Sequence, residues 1–393
     1  MGKNLGIKER IVIYSWNIPK GGLPKVMLRE YNFFKDNGFD VTLVTSEGGS
    51  HFPYFDDLNK AGMIILGSNE PEKRQKGRDI SYFFPGLTVL IQDTLTNNIL
   101  KLFKFLRYQK PDVVIAHQLL SGLMVVPFCV LFRRNIVLVL HDNPYLFLEN
   151  DNNKSLKQKF INSVTYTVTQ LAFYYSHRIV FTSESIARNI ERYVDSSGKG
   201  IIVDYGIDVF PKKDLKREFV TVVSKWSRFR NPRAYLELRK LLPSDIIFVM
   251  AGRWDSEEEY SEFKRAVKEA GYSKSLIIKA ELSEEELSEL YDRTRVFVRL
   301  GFNESGTGQG ILEAIGHGCP VVISKSIGAS SLIQDGRQGF VVDETNLEEV
   351  AEKILHIFRE EQLFQDMVSS CYKLANSNGW TKYLNTLKGC VLG

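Results

Sequence analysis

Cysteine is scarce and scattered. The four thiols, Cys129, Cys319, Cys371 and Cys390, make neither a CxxC pair nor a secreted disulfide framework, which points to a reducing compartment. No DxD sequence occurs, and no His/Cys/Glu cluster has metal-ligand spacing, so the expected chemistry needs no metal and no cofactor. A GxSxG elbow and a P-loop are also missing, and the first Gly-rich loop lacks GxGxxG, so a dinucleotide is not implied. The N-terminus has no apolar stretch of signal-peptide length. The most apolar run, Leu119 to Leu140, contains Pro127 and is split by Arg133-Arg134. That makes it too short on either side to span a bilayer, and a buried helix followed by a buried strand is expected. Heptads and low-complexity tracts are absent. A cytoplasmic protein without a nucleic-acid partner is the expectation.

What is present is an ordinary globular composition over 393 residues, enough for two domains with real cores. Charge is uneven. Residues 1–205 hold 25 Lys and Arg against 19 Asp and Glu, a net +6, and the remainder holds 26 against 28, a net −2. The basic half could face an anionic membrane or an acidic substrate, or could be an ordinary solvated surface. The same alternatives apply to the basic cluster at 72–78 within an irregular, polar stretch, 48–95. They apply again to the basic and aromatic helix at 154–176, which could lie on a membrane interface or pack on its own domain.

Strand IVIYSW (11–16), a loop with Gly21-Gly22, a helix closed by Gly38 and strand VTLVTS (41–46) open a doubly wound α/β domain. Two later strands end at His117 and at His141-Asp142. Ligands of open α/β sheets lie at strand C-terminal ends, so both histidines are candidates for a site, with a structural role as the alternative. After a polar linker the second half alternates βαβαβ again, and Ser283 with Glu286 makes a capping-box arrangement. The expected fold is α/β: two Rossmann-like domains facing across a cleft. Its divisions are a first domain at 1–208, a linker at 209–218, a second domain at 219–375 and a terminal helix at 376–393.

The stretch from Val296 to Lys325 carries the strongest chemistry. A buried strand runs into NESGTGQG, then ILEAIGHG reads as a helix and CPVVIS as the next strand. Strand, Gly-rich loop and helix bind phosphates, because N–H groups at the helix N-terminus point at the anion and glycines let it come close. Ser305, Gly306, Thr307, Gly308, Gln309 and Gly310 form that loop. Glu304 enters it, and Glu313 lies on the helix beyond, where a carboxylate among apolar residues needs a partner such as sugar hydroxyls. Upstream, SKWSRFRNPR sets Lys225, Arg228, Arg230 and Arg233 around a strand-to-helix turn. They suit a diphosphate or form an exposed basic turn.

These residues, with PDVVIAH, VLHD, HRIVFTSE, DYGID, LSELYDRTRVFV and the terminal Trp380, resemble glycosyltransferase family 4, the retaining nucleotide-sugar enzymes of GT-B fold. The likeness covers nearly the whole chain, and implies an acceptor-side domain at 1–208, a nucleotide-sugar donor domain at 219–375 and a terminal helix at 376–393 that packs back on the first domain. It implies that Gly21 and Gly22 approach the donor's phosphates, and that His141 contacts the transferred sugar. Lys225 and Arg230 would neutralise the diphosphate leaving group, Glu304 would lie near the sugar hydroxyls, and Glu313 would hold the ribose. Implied partners are a nucleotide-diphosphate sugar and a glycan or lipid-linked acceptor, with peripheral contact to an anionic membrane at its cytoplasmic face. Two departures stand out. The cationic pair has lysine first and arginine second, the reverse of the family order. Eight residues separate Glu304 from Glu313 where the family has seven, so Ser305 occupies the family's first-glutamate position by count. Other readings of the sequence are a nucleotide-sugar epimerase or hydrolase on this fold, and an inert glycan- or membrane-binding protein.

Overall fold

The computed structural model describes residues 9–17, 22–47, 55–67, 98–142, 156–301 and 306–393. The chain divides into two compact units. One comprises Met1–Thr182, Ile186–Val203 and Leu384–Gly393, and the other Ser183–Ser185 and Asp204–Tyr383.

The first unit is built on a sheet ordered β3-β2-β1-β4-β5-β6-β7, with every strand parallel to its neighbours. Its strands are β1 (Arg10–Asn17), β2 (Asp40–Glu47), β3 (Ile64–Ile65), β4 (Val113–His117), β5 (Asn135–Leu140), β6 (Arg178–Phe181) and β7 (Gly200–Ile202). Helices α1 (Leu23–Asp36), α2 (Phe55–Lys60), α3 (Asn98–Gln109), α4 (Leu119–Phe132), α5 (Leu156–Tyr175) and α6 (Glu184–Glu191) alternate with them. Near-continuous apolar runs such as VVIAH and IVLVL form strands covered on both faces, as parallel sheets require, and their side chains are buried. The run from Leu119 to Leu140 resolves into a helix and a strand as expected: β5 is buried, whereas α4, with Pro127 inside it, buries one face and exposes its last turn, Val130–Phe132. Arg133, left-handed at φ 52°, caps α4 between them. Within the stretch read as irregular, α2 and β3 form. β3 is only two residues long and pairs with β2, too short to leave a periodic signal. The cluster at 72–78 lies outside the described residues.

The second unit repeats the plan with a sheet ordered β10-β9-β8-β11-β12-β13, again parallel throughout. The strands are β8 (Phe219–Val223), β9 (Ile247–Ala251), β10 (Leu276–Lys279), β11 (Thr294–Arg299), β12 (Val321–Ser324) and β13 (Gly339–Val342). Helices α7 (Pro232–Lys240), α8 (Glu257–Glu269), α9 (Glu284–Asp292), α10 (Gln309–Gly316), α11 (Leu347–Arg359) and α12 (Glu361–Ser377) connect or follow them. α13 (Trp380–Leu392) closes the chain, and its residues from Leu384 onward belong to the first unit. The capping box of α9 forms as read: Ser283 Oγ accepts from the Glu286 N–H at 3.2 Å, and Glu286 Oε2 accepts from the Ser283 N–H at 2.8 Å. The polar segment 209–218 falls inside this unit. The Phe210 N–H donates to the Gly316 carbonyl at 3.0 Å, and Arg217 donates to the carbonyls of His317 and Gly318 at 2.6 and 3.1 Å.

Each sheet reverses its strand order once, at β1/β4 in the first and at β8/β11 in the second. At such a switch point the flanking connections leave in opposite directions, and a crevice opens at the strand C-terminal ends.

Candidate active site

In the second unit the turn after β8 is pinned by a buried tryptophan. The Trp226 indole N–H donates to the Ala251 carbonyl at 2.9 Å and its backbone N–H to the Arg253 carbonyl at 2.7 Å, while its ring lies on Trp254. Burying a large apolar side chain contributes roughly 1.5–3 kcal/mol, so this anchor holds the flanking cations in place. Lys225 precedes it. Arg230 ends a 3₁₀ turn, Arg228–Arg230, that leads through left-handed Asn231 to Pro232 at the start of α7. Lys225 Nζ sits 2.8 Å from Asp255 Oδ1, and Arg228 Nε donates to Glu259 Oε1 at 3.2 Å. Arg230 is half-buried and Arg233 is exposed. The sequence reading missed both carboxylates, since each lies one βα unit away from its cation. Lys225 is 53% exposed, and ion pairs this accessible are worth about 0–1 kcal/mol, so an anionic ligand can displace Asp255 at small cost.

Across the switch point, β11 ends at Arg299. This cation is 7% exposed and donates from Nη1 to the Val223 carbonyl at 2.6 Å, joining the C-terminal ends of β11 and β8. The sequence reading passed over it as one polar residue in a strand. Glu304 and Ser305 lie outside the described residues, as does Gly21. From Gly306 the loop runs through buried Thr307 to Gly308, left-handed at φ 78°, which caps α10. That backbone angle disfavours any residue with a Cβ. Gln309 and Gly310 form the first turn of α10. A Cβ on Gly310 would lie 3.3 Å from the Tyr291 hydroxyl and 3.5 Å from the Val223 carbonyl, so the bare backbone brings the helix N-terminus against the end of β8. One turn on, Glu313 Oε2 accepts from the Tyr291 hydroxyl at 3.2 Å. Glu313 therefore has a protein donor where the sequence reading supplied only sugar hydroxyls. Burial, then the Glu313 charge, push the Tyr291 phenol well above its ordinary range, so it stays protonated and can only donate to the carboxylate.

In the first unit Gly22 is the N-cap of α1, and its carbonyl accepts from the Val26 N–H at 3.3 Å. His141 lies just past β5 and is half-buried. Its Nε2 is 2.8 Å from Nδ1 of His117, the last residue of β4, and His117 Nε2 is 2.9 Å from Glu30 Oε2 on α1. Both Glu30 and His117 are fully buried. Burial, then the neighbouring His117, hold the His141 pKa well below the usual histidine value. The two histidines singled out at strand ends are thus brought together. Glu30 was missed, although a carboxylate on the apolar stripe of α1, among Val26, Met27 and Phe34, is the same signal that marked Glu313.

Among the described residues no group of three His, Cys, Asp or Glu side chains is placed to hold a metal ion, and no helix is long and apolar enough to cross a membrane.

Two doubly wound parallel sheets, with cations, a Gly-rich helix N-terminus and a held carboxylate at a switch point, define a GT-B protein. Comparison with known proteins agrees. The family profile described as Glycosyltransferase Family 4 matches residues 20–209, and that described as Glycosyl transferases group 1 matches residues 207–374. The chain belongs to the GT-B glycosyltransferases of family 4. Among solved structures it is similar to Anabaena HepE in complex with UDP and glucose, at 14% identity and TM-score 0.75 over 98% of this chain and 99% of that one. It is also similar to sucrose-phosphate synthase from Thermosynechococcus elongatus, at 13% identity and TM-score 0.78 over 97% and 98%. Among curated relatives, poly(glycerol-phosphate) alpha-glucosyltransferase of Bacillus subtilis is 22% identical over 164 residues, 42% of this chain and 24% of that protein. Sucrose synthase of Melioribacter roseus is 27% identical over 181 residues, 42% and 23% respectively. The matches thus span about a quarter of these relatives' lengths.

Proposed function

We propose that this protein transfers a hexosyl group from a nucleotide-diphosphate sugar to a glycan or lipid-linked glycan, with retention at the anomeric carbon and without a metal. The observation that carries this reading is the convergence at the β8/β11 switch point of Lys225, Arg230, the N-terminus of α10 and Glu313. As the bond from the anomeric carbon to the β-phosphate oxygen breaks, the electron pair goes to the diphosphate. Fixed cations and helix-end N–H groups are suited to stabilise that charge. Glu313 takes the ribose hydroxyls, and a role for His141 toward the sugar rests on the family likeness alone. The role of Glu304 rests on the family likeness alone. Because the HepE structures hold UDP or UDP-glucose, uridine is the first base to try.

A cytoplasmic site of action at an anionic membrane is part of the same proposal. Its support is an exposed set of aromatic, aliphatic and basic residues on the adjoining helices α3, α4 and α5. Tyr108 is 82% exposed, Leu131 65% and Tyr174 74%, with Lys101, Lys104, Arg107 and Arg133 also exposed.

Thermal unfolding with UDP, GDP, ADP and CMP, each with and without EDTA, tests the donor site. A ligand at about 100 times its Kd adds roughly 2.7 kcal/mol to the folded state. A shift from one diphosphate that survives EDTA is expected, and no shift from any would overturn the reading. Transfer from that donor, with the product's anomer read by NMR, then tests retention.

A further inference from the structure

The pairing of Lys225 with Asp255 rests on a backbone frame. The loops after β8 and β9 run on beside each other past the strands. There the Trp226 N–H donates to the Arg253 carbonyl at 2.7 Å, and the Asp255 N–H returns to the Trp226 carbonyl at 2.9 Å. Trp226 and Trp254 form a parallel bridge with stacked rings, so Lys225, just before the first, and Asp255, just after the second, are held opposite each other. Lys225 Nζ then lies 2.8 Å from Asp255 Oδ1. Among the described residues Lys225 is the partner of that carboxylate and there is no other. Asp255 has little to do for the helix that follows it. Ser256 caps α8, its Oγ accepting from the Glu259 N–H at 3.1 Å, and Glu257, Glu258 and Glu259 already bring negative charge to the first turn. An ion pair this accessible adds little stability either. What the carboxylate does is stand against a cation of the candidate donor site.

We propose that Asp255 is an internal competitor for the diphosphate. Its carboxylate occupies Lys225 in the ligand-free protein, yields it when a nucleoside diphosphate binds, and takes it back as the diphosphate leaves. This rests on the reading of Lys225 as a cation of the donor site. One charge-assisted contact is exchanged for another, so Lys225 contributes to binding only the difference between two anions. The ammonium is paired in both states. The diphosphate is therefore held less tightly, and leaves faster, than beside a lysine with no partner of its own. Faster departure of the spent diphosphate favours turnover wherever product release limits the rate. Asp255 acts here through Lys225 and touches no ligand. Glu257 supplies the contrast: it is exposed at the same helix end but makes no ion pair with Lys225, so it adds only screened charge.

Calorimetric titration of UDP into the full-length protein and into Asp255→Asn tests this, since asparagine keeps the shape of the side chain and removes its charge. UDP should bind Asp255→Asn about threefold to fivefold more tightly. Stopped-flow kinetics should trace the gain mainly to slower dissociation. The gain should shrink in about 1 M salt. Asp255→Glu should behave as the wild type, and Glu257→Gln should change little. In a Lys225→Ala background the same Asp255→Asn change should alter UDP affinity by less than about twofold, because competition needs both partners. A folded Asp255→Asn that binds UDP no more tightly than the wild type overturns the competitor. So does a gain that persists without Lys225 or is matched by Glu257→Gln, since either would be general repulsion. If neither the wild type nor Asp255→Asn binds UDP, GDP or ADP, the donor reading fails and the competitor with it. That result is distinct from binding that Asp255→Asn leaves unimproved.

Discussion

The two units share a topology, and each buries a histidine against a carboxylate, yet the surroundings give the two pairs different work. In the first unit the row starts at fully buried Glu30 and ends at half-buried His141, past the C-terminal end of a strand. In the second, His317 Nδ1 lies 2.7 Å from Asp292 Oδ1, and both residues are buried. That ring is sandwiched between Phe210, with centroids 3.9 Å apart, and Tyr291, at 5.3 Å. Lys213 Nζ reaches the other oxygen of Asp292 at 2.7 Å, and Arg217 and the Tyr372 hydroxyl hold the His317 carbonyl. A histidine–carboxylate pair is therefore not by itself a site. The one that leads to a strand end at a switch point is a candidate, and the one closed off by rings and backbone ties is scaffold.

The comparison breaks most sharply if activity and stability fail to separate. The largest effect is expected from Lys225→Ala/Arg230→Ala. Removing the charges that receive the leaving diphosphate should lower kcat by about 10²–10³, with only a small change in melting temperature from Lys225, whose ion pair with Asp255 is solvent-accessible. Next comes Asp292→Ala, which strips the buried carboxylate from both His317 and Lys213. About 3 kcal/mol of stability should go, read by urea unfolding, with kcat per folded molecule largely kept. Loss of activity without loss of stability in this variant would move the sealed pair into the site.

A smaller effect concerns pH. Burial lowers the pKa of both His141 and His317, and at His317 it outweighs the opposing pull of Asp292. The folded protein therefore binds fewer protons than the unfolded chain in the window below about pH 6.5. Stability should be full above that pH and fall as pH drops, until the folded rings themselves take protons. Each ring steepens the fall by at most about 1.4 kcal/mol per pH unit. His317→Phe and His141→Phe should each flatten the curve, and a curve unchanged in either variant would remove that ring from the account.

Much of this was legible in the sequence where the signal was local. Uninterrupted apolar strands, the Pro127 and Arg133-Arg134 interruption, the Ser283 capping box and the Gly-rich run before α10 each reported their own element. What was not legible depends on residues that topology brings together. Glu30 and His117 are 87 positions apart, Arg299 and Val223 are 76, and Tyr291 and Glu313 are 22. Glu313 was suspicious because it stood among apolar neighbours, but nothing local named Tyr291 as its donor. Asp255 and Glu259 were hidden for the opposite reason, being ordinary charges in a polar stretch around the start of α8. The stretch 209–218 read as a linker on charge density, whereas its backbone and the Phe210 ring tie it to the end of α10.

Tyr291 stands where the sealed pair and the candidate donor site meet, so the finest test of the contrast is made there. Its ring lies on His317 and its hydroxyl holds Glu313. Tyr291→Phe keeps the ring and its stacking and deletes only the O–H. If Glu313 serves a ligand, losing this donor loosens the carboxylate, and UDP affinity should fall a few-fold, the equivalent of about 1 kcal/mol, by calorimetry. Stability should change by a similar amount or less, since the buried ring area is retained. Leu in place of Phe separates the two contributions further. It removes the ring beneath His317 as well, and should cost about 1–3 kcal/mol more in stability without a further loss of UDP affinity. If both substitutions lower UDP affinity in step with stability, Glu313 is held by the same packing that holds His317, and the second unit has one network where two are described.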